Sequence, residues 1–547
     1  MRRRALGAVV VGLVLVASAC GGGSGSEDAR GTTVPVTEAP DSAPQGDCAP
    51  LDATGLTGGT TLAEGTCHTV TGPLTVAGGT LDIEAGVTIS FAESAGLTVV
   101  EGGSIVAEGT EDAPVTFTGL DGGAWPGIQL DASSGNVLHN VVISDAGSAP
   151  WTGDSESTSA LYLGGGTEID IQDSTIAASA GKALTILDDV DLVLEGSTFR
   201  GRGELAAEVS PDVVSALSST NTFEADGAGG VRIGLGTDFA VTAEQTWQAG
   251  IPFEIQGRVT VEAPLTLEPG ARIAFGADAS MEVVEGGSLN AEGTEDDPIT
   301  LTGIEELPGH WKGLRVATAA VDNVFDHVTF ENGGSEVWTG APDSTGMVYL
   351  EGNSKVVVTN STFRGSGGYG MSVPVDGDIE GFDANTFTEN ARAMYVHPER
   401  AGQIAATNTF EDNDEDRVRV AASNTDFLRT AQTWQDIGVP FYVTTRVRVA
   451  AVLTVAAGTV VEFAQDASLE VPATEGGALR SAGTAEAPVT FRGGEDVEGY
   501  WQGISVSTAS NDNLLEHTVL RNGGSAEWYG GGDAAASFHM DAGTATL

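Results

Sequence analysis

The chain has 547 residues, among them 76 glycines and only 3 lysines, and a formal charge of −53. A field of that sign repels phosphate backbones and anionic headgroups, so nucleic acid is excluded as a partner, and the acidic surface suits solubility at high salt or the collection of cations. Abundant Val, Thr and Gly, with no apolar pattern of helical period after the first twenty residues, exclude a helical bundle and make the chain all-β.

In chain order, the first element is MRRRALGAVVVGLVLVASAC: three arginines, an apolar run too short to span a bilayer comfortably, then small residues ending at Cys20. Residues 1–19 read as a secretory signal. ASAC resembles the lipobox of bacterial lipoproteins, which implies cleavage before Cys20, a thioether lipid on it, and a protein held at the outer face of a bacterial membrane by that lipid alone. Residues 20–47 carry Gly, Ser, Pro and acidic residues with no strand-like run, and read as a tether reaching about 30 Å. Cys48 and Cys67, 19 residues apart in an exported chain, read as a disulfide stapling an N-terminal cap over 48–67, with a contribution of about 3 kcal/mol.

Beyond the cap, three phrases repeat: GGSIVAEGTEDAPVTFTG at 102–119, GGSLNAEGTEDDPITLTG at 286–303 and GGALRSAGTAEAPVTFRG at 476–493, offset by 184 and 190 residues. Repetition this long defines three units, 68–252, 253–439 and an incomplete 440–547, and all 8 tryptophans fall at repeated positions. A finer period lies inside. Phe330, Phe363, Phe387 and Phe410 end short strands 33, 24 and 23 residues apart, and Ile143, Ile176, Phe199 and Phe223 do so in the first unit at 33, 23 and 24. Short alternating strands at that spacing predict the coils of a β-solenoid, about eight per unit and about 38 Å of advance. In PVTF, PITL and PVTF the apolar residues point inward, proline opens the strand where no ladder N–H is needed, and the preceding GT is expected to supply a positive-φ turn. Asn385, Asn390, Asn408 and Asn413 suit corners where an amide bonds the backbone of the neighbouring coil.

Taken together, the GT…PITFTG phrases, the W-x-G phrases and the strings of NTF resemble the right-handed parallel β-helix proteins of the pectin-lyase-like superfamily, particularly its bacterial surface and lipoprotein members. The resemblance spans 68–547 and implies a right-handed, single-stranded parallel β-helix of three long units. Relatives with this fold include lyases that hold Ca²⁺ on acidic side chains and hydrolases with clustered aspartates. No GHG or RIK phrase is present here, so those catalytic residues do not carry over.

Three candidate sites follow. Asp376, Asp378, Glu380 and Asp383 on one coil, with Arg392, His397 and Arg400 on the next, offer carboxylates near cations for acid/base work on a sugar. EDNDEDR at 411–417 offers oxygen ligands for Ca²⁺ but lacks the spaced DxDxDG pattern, and it reads as a solvated corner; no other cofactor or metal is expected. The 33-residue coils carry Trp151, Trp338 and Trp528, each near an aspartate (Asp154, Asp343, Asp533), expected as a row of sugar-stacking rings or as lids over their own coils. His327 and His517 match Asn140, which reads as a hydrogen-bonding corner. The function expected is a lipid-anchored surface scaffold, adhesin or glycan-contacting rod with polysaccharide as partner. The alternatives are a polysaccharide lyase or glycoside hydrolase, and an assembly component whose last coil pairs with another chain.

Overall fold

The computed structural model describes residues 48–51, 56–226, 229–236, 238–340, 344–423, 425–528, 535–541 and 545–546. The expected signal segment, Cys20 and the tether to residue 47 lie outside them. Every paired strand among the described residues runs parallel to its neighbours, and each coil adds one strand to each of three walls. The chain is a parallel β-helix. Alternation builds it: in Val115–Gly119 the side chains of Val115 and Phe117 are buried while Thr116 and Thr118 face out. Phe330, Phe363, Phe387 and Phe410 stack in one column at ring separations of 5.1, 4.4 and 5.1 Å. Cys48 and Cys67 are bonded, with Cα atoms 4.9 Å apart, beside the pairing of Ala49–Pro50 with Cys67–Val70.

The repeated phrase has a fixed local geometry. Its turn closes through Thr110 N to Ala113 O, Thr294 N to Asp297 O and Thr484 N to Ala487 O, each 3.1 Å. The expectation of a positive φ at Gly109, Gly293 and Gly483 is corrected: none lies in the left-handed region. These glycines are required by a close approach instead, because a Cβ would sit 2.4, 2.7 and 2.4 Å from the carbonyl oxygens of Asn140, His327 and His517. Those three carbonyls also accept from the first N–H of the phrase's strand, at 3.2, 3.1 and 3.0 Å. Asn140, His327 and His517 themselves hold φ of 49°, 49° and 43°, a region in which Asn and His are enriched. The shared demand is on the backbone.

Asparagine ladders form the corners. Ser366 N donates to Asn390 Oδ1 (2.9 Å) and Asn390 N to Asn413 Oδ1 (3.1 Å), while the two Nδ2 atoms donate to Phe363 O and Phe387 O at 2.9 Å each. Asn385 and Asn408 repeat the arrangement. Asn390→Ala leaves two buried backbone groups without partners and is expected to cost about 2–5 kcal/mol, read from the urea midpoint, with Asn413→Ala costing less because fewer coils rest on it.

The number of turns per unit differs from the expectation. Strand Val115–Gly119 lies in the eight-stranded sheet, and the next strand, Ile128–Leu130, lies in the fourteen-stranded sheet. The second copy of the phrase, Ile299–Gly303, is the seventh strand after Ile128–Leu130 in that fourteen-stranded sheet. The third copy, Val489–Gly493, lies in the twelve-stranded sheet, seven strands after Gly313–Val316. A unit is therefore seven turns plus one wall, about 35 Å of advance rather than 38. The estimate of eight failed because turns vary from 19 residues, Ala49 to His68, to 35 residues, Ser468 to Gly503.

The change of wall happens at a seam. The eight-stranded sheet ends at Thr222–Glu224, the twelve-stranded sheet starts at Asp238–Val241, and the fourteen-stranded sheet runs through both. A 3-10 segment, Pro211–Ala216, sits between the last strand of one six-stranded sheet, Asp191–Glu195, and the first of the next, Gln245–Trp247. Leu217 bridges back to Leu194, and Ser215 Oγ accepts from Thr246 N at 3.0 Å. Ala401–Gln403 occupies the matching place one unit on, with Gly402 N donating to Gln432 Oε1 at 2.6 Å.

Candidate functional site

Outward residues of successive strands form columns, and one column in the first unit lies under the long loop. In the fourteen-stranded sheet Tyr162, Thr185, Glu208, Arg232 and Glu254 stand in register on consecutive coils. Alternation turns them away from the apolar core, and the loop from the preceding wall folds over the near end. Thr152, Asp154 and Ser157 of that loop line a cleft of about 440 Å³ together with Leu187, Leu235, Gly236 and Gln256, and Tyr162, Thr185, Glu208 and Arg232 of the column are its floor.

The floor carries buried charge. Lys182 Nζ lies 2.5 Å from Glu208 Oε2, Arg232 lies 3.7 Å from Glu208 and 3.4 Å from Glu254, and Gln256 Nε2 donates to Glu254. Lys182 is 7% exposed and Glu208 3%, so this network is desolvated and each carboxylate is held by a cation. Thr185, 1% exposed, lines the cleft, and its hydroxyl has no hydrogen-bond partner among the described residues. Burial, with the nearby Asp131 carboxylate, pushes the Tyr162 phenol above its ordinary value, so it stays a neutral donor at physiological pH.

The proposed catalytic constellation divides. Arg400 lies 3.5 Å from Asp378, which also accepts from Gln403 Nε2 at 2.5 Å. Arg392 turns to Glu415 at 3.7 Å and lies over the Tyr369 ring at 5.2 Å. Glu380 pairs with Lys355 at 2.8 Å, and Asp383 accepts from Thr407. Asp378–Asp383 and Arg392–Val396 belong to different walls, so Asp376 and Asp378 are not gathered with Arg392 into one groove.

His397 is buried at 3% exposure, 3.5 Å from Asp426. Burial pushes the imidazole below its ordinary 6.5, outweighing the opposing pull of Asp426 and Glu399 and acting in the same direction as Arg400. An unfolded histidine then takes up a proton that the folded one resists, so stability falls as pH drops below about 6.5. The expected result is that the difference in Tm between wild type and His397→Asn shrinks between pH 7.5 and pH 5.5.

The 411–417 segment satisfies itself. Asp416 accepts from Asn413 Nδ2 at 2.8 Å and Glu415 from Arg417 at 2.9 Å. Among the described residues, no three His, Cys, Asp or Glu side chains gather to hold a metal ion.

The three loop tryptophans fold back on their own coils. Trp151, Trp338 and Trp528 Nε1 donate to the carbonyls of Ser159, Gly346 and Ala536 at 3.0, 2.8 and 3.2 Å. Trp528 is buried and the other two are half-buried. Asp343 and Asp533 lie outside the described residues. The expected row is corrected, because the change of wall moves each loop: Trp151 enters the fourteen-stranded sheet, Trp338 leaves it for the twelve-stranded sheet, and Trp528 leaves that for a four-stranded one. Sequence reasoning missed the cleft floor, although Tyr162, Thr185, Glu208 and Arg232 recur at the coil period of 23, 23 and 24 residues.

Stacked parallel walls define a parallel β-helix. The family model described as "Pectate-lyase like beta helix domain" matches residues 55–176 and 239–350, so the chain carries that domain in both long units. No curated protein and no solved structure matches the chain.

Proposed function

We propose that this protein is a lipid-anchored, extracellular β-helix rod that contacts neutral glycans without catalysing their cleavage. One observation carries the reading: the cleft of the first unit is lined by hydroxyls and two leucines, and its floor carboxylates are neutralised by Lys182 and Arg232. Acid/base cleavage of a glycosidic bond needs a carboxyl group able to give or take a proton beside the substrate. Glu208, the carboxylate on the floor, is instead paired with Lys182 and Arg232, which leaves Asp154 of the loop without a second carboxyl group free to act opposite it. A sugar offers hydroxyls to the loop residues Thr152 and Ser157 and C–H surface to Leu187 and Leu235, and a concavity of this volume suits one or two sugar rings. Anionic polyuronates are disfavoured by the charge of −53.

Titration calorimetry with cellobiose, chitobiose and maltose tests the reading. At least one disaccharide is expected to bind, and Leu235→Ser, which removes exposed apolar surface from the lining, is expected to weaken it about tenfold. Absence of binding by all three, or release of reducing ends or unsaturated products from polygalacturonate, would contradict it. The anchor is tested separately by labelled palmitate in a bacterial host, where incorporation should vanish in Cys20→Ser.

A further inference from the structure

The two seams share one fastening and differ at one residue beside it. At the first, the Asp212 carboxylate accepts from Thr242 N at 2.7 Å and from Ala243 N at 3.2 Å. At the second, Glu399 accepts from Arg429 N and, at 3.2 Å, from Thr430 N. Donors and acceptors repeat at an offset of 187 residues, and each acid directly follows a proline, Pro211 or Pro398. The residue before that proline is Ser210 at the first seam and His397 at the second. The fastening matters because ladder bonds are scarce there. At the second seam the fourteen-stranded sheet ends at Thr409–Glu411 and a six-stranded sheet at Asp378–Asp383, while the four-stranded sheets start at Gln432–Trp434 and Arg446–Arg448. Among the described residues, the twelve-stranded sheet alone runs through.

His397 supports this fastening through its ring. Glu399 N donates to His397 Nδ1 at 3.2 Å, so Nδ1 offers a lone pair and the ring proton sits on Nε2, which faces Asp426 at 3.5 Å. The residue is 3% exposed. The other charged groups around it are Glu399 and Arg400 of its own segment. Asp378 of the preceding coil lies 3.5 Å from Arg400, and Arg429 beyond the seam pairs with Glu475 at 3.2 Å. A second proton on the ring has to go to Nδ1. There it meets the Glu399 N–H: the bond is lost, two donors face each other, and a buried cation is left with Asp426 as its nearest compensation.

We propose that His397 is a proton-operated latch, which keeps the second seam fastened at neutral pH and releases it locally in mild acid. As the Glu399 segment backs away from the protonated ring, its carboxylate leaves Arg429 N and Thr430 N, and the imidazolium reaches water. In acid the joint between the second and third units loosens, whereas the joint between the first and second stays closed, because Ser210 does not titrate. The sign follows from the site. Burial holds the imidazole below its ordinary 6.5, so the opened seam binds the proton more tightly than the closed one. Opening therefore becomes easier as pH falls below about 6.5, by at most about tenfold at pH 5.5 for one such group.

Hydrogen exchange of the full chain at pH 7.5 and pH 5.5 tests the latch, read on peptic peptides and expressed as protection factors so that the intrinsic pH dependence of exchange cancels. Peptides carrying Arg429 and Thr430 are expected to lose protection about three- to tenfold, while those carrying Thr242 and Ala243 stay within about twofold. His397→Ser, which installs the residue of the first seam, should abolish the loss, and circular dichroism at both pH values shows whether that variant is folded. Equal changes at the two seams, or no change at the second, overturn the proposal on wild type alone. A folded His397→Ser variant that still loses protection at Arg429 and Thr430 overturns it as well. The disaccharide titrations read the first-unit cleft, so the latch and the glycan reading stand or fall separately.

Discussion

Trp311→Ala is expected to destabilise the second unit by about 3–5 kcal/mol, because it removes the largest side chain of its coil and leaves a cavity that stacked backbones cannot close. Trp311 is fully buried, stacks on Phe275 at 4.2 Å and 10°, and donates from Nε1 to Glu331 O at 2.7 Å. Trp125 on Phe91 and Trp501 on Phe463 repeat this at 4.1 and 4.0 Å, with the same 2.7 Å bonds to Ser144 O and Arg521 O. Three copies so alike make the indole a structural rivet. Trp311→Phe keeps part of the stack but leaves the Glu331 carbonyl without its donor, so it should fall between the two. Urea unfolding followed by circular dichroism measures the loss, and a shift below about 1 kcal/mol for Trp311→Ala would show that the coil repacks.

Glu208→Ala should cost a similar amount, about 3–5 kcal/mol, for a different reason. Removing the carboxylate takes away the acceptor 2.5 Å from the buried Lys182 ammonium and 3.7 Å from Arg232, and breaking a desolvated ion pair from one side is strongly destabilising. The second unit supplies the control. There Tyr369 and Tyr395 take the places of Lys182 and Glu208, and Arg419 Nη1 donates to Tyr369 Oη at 3.2 Å. The double variant Lys182→Tyr/Glu208→Tyr transplants that solution and should recover most of the lost stability, since replacing a buried pair outright is often neutral. Thermal melts of the single and double variants decide it: equal losses in both would mean that the surrounding wall is specific to the ionic form.

Much of the architecture is legible in the sequence because coil formation depends on local patterns. Val115 and Phe117 alternate with threonines, Phe330, Phe363, Phe387 and Phe410 keep the coil period, and Asn385, Asn390, Asn408 and Asn413 lie at ladder corners. Asn136, Asn323 and Asn513 form equivalent corners, accepting from the N–H groups of Ile105, Leu289 and Leu479 at 3.1, 3.0 and 3.1 Å. They escape notice because no NTF phrase surrounds them; only their offsets of 187 and 190 mark them. The number of turns is not legible, because residues per unit do not fix turns per unit when some turns are 20 residues and others 33. For the same reason Asp378 and Arg392, neighbours in sequence, fall on different walls, while Thr185 and Glu208, 23 residues apart, touch the same cleft.

The column beneath the first-unit cleft depends on the fourteen-stranded sheet running unbroken across the first seam, so that the second unit begins one wall round from the first. Paired cysteines measure this directly. Arg232 and Glu254 are register partners across the seam, with Cα atoms about 4.8 Å apart and within reach of a disulfide. Arg232→Cys/Glu254→Cys is expected to close on mild oxidation, whereas Glu224→Cys/Glu254→Cys is expected to stay open. Were the units a whole number of turns, residue 254 would continue the eight-stranded sheet that ends at Thr222–Glu224, and the second pair would close in place of the first.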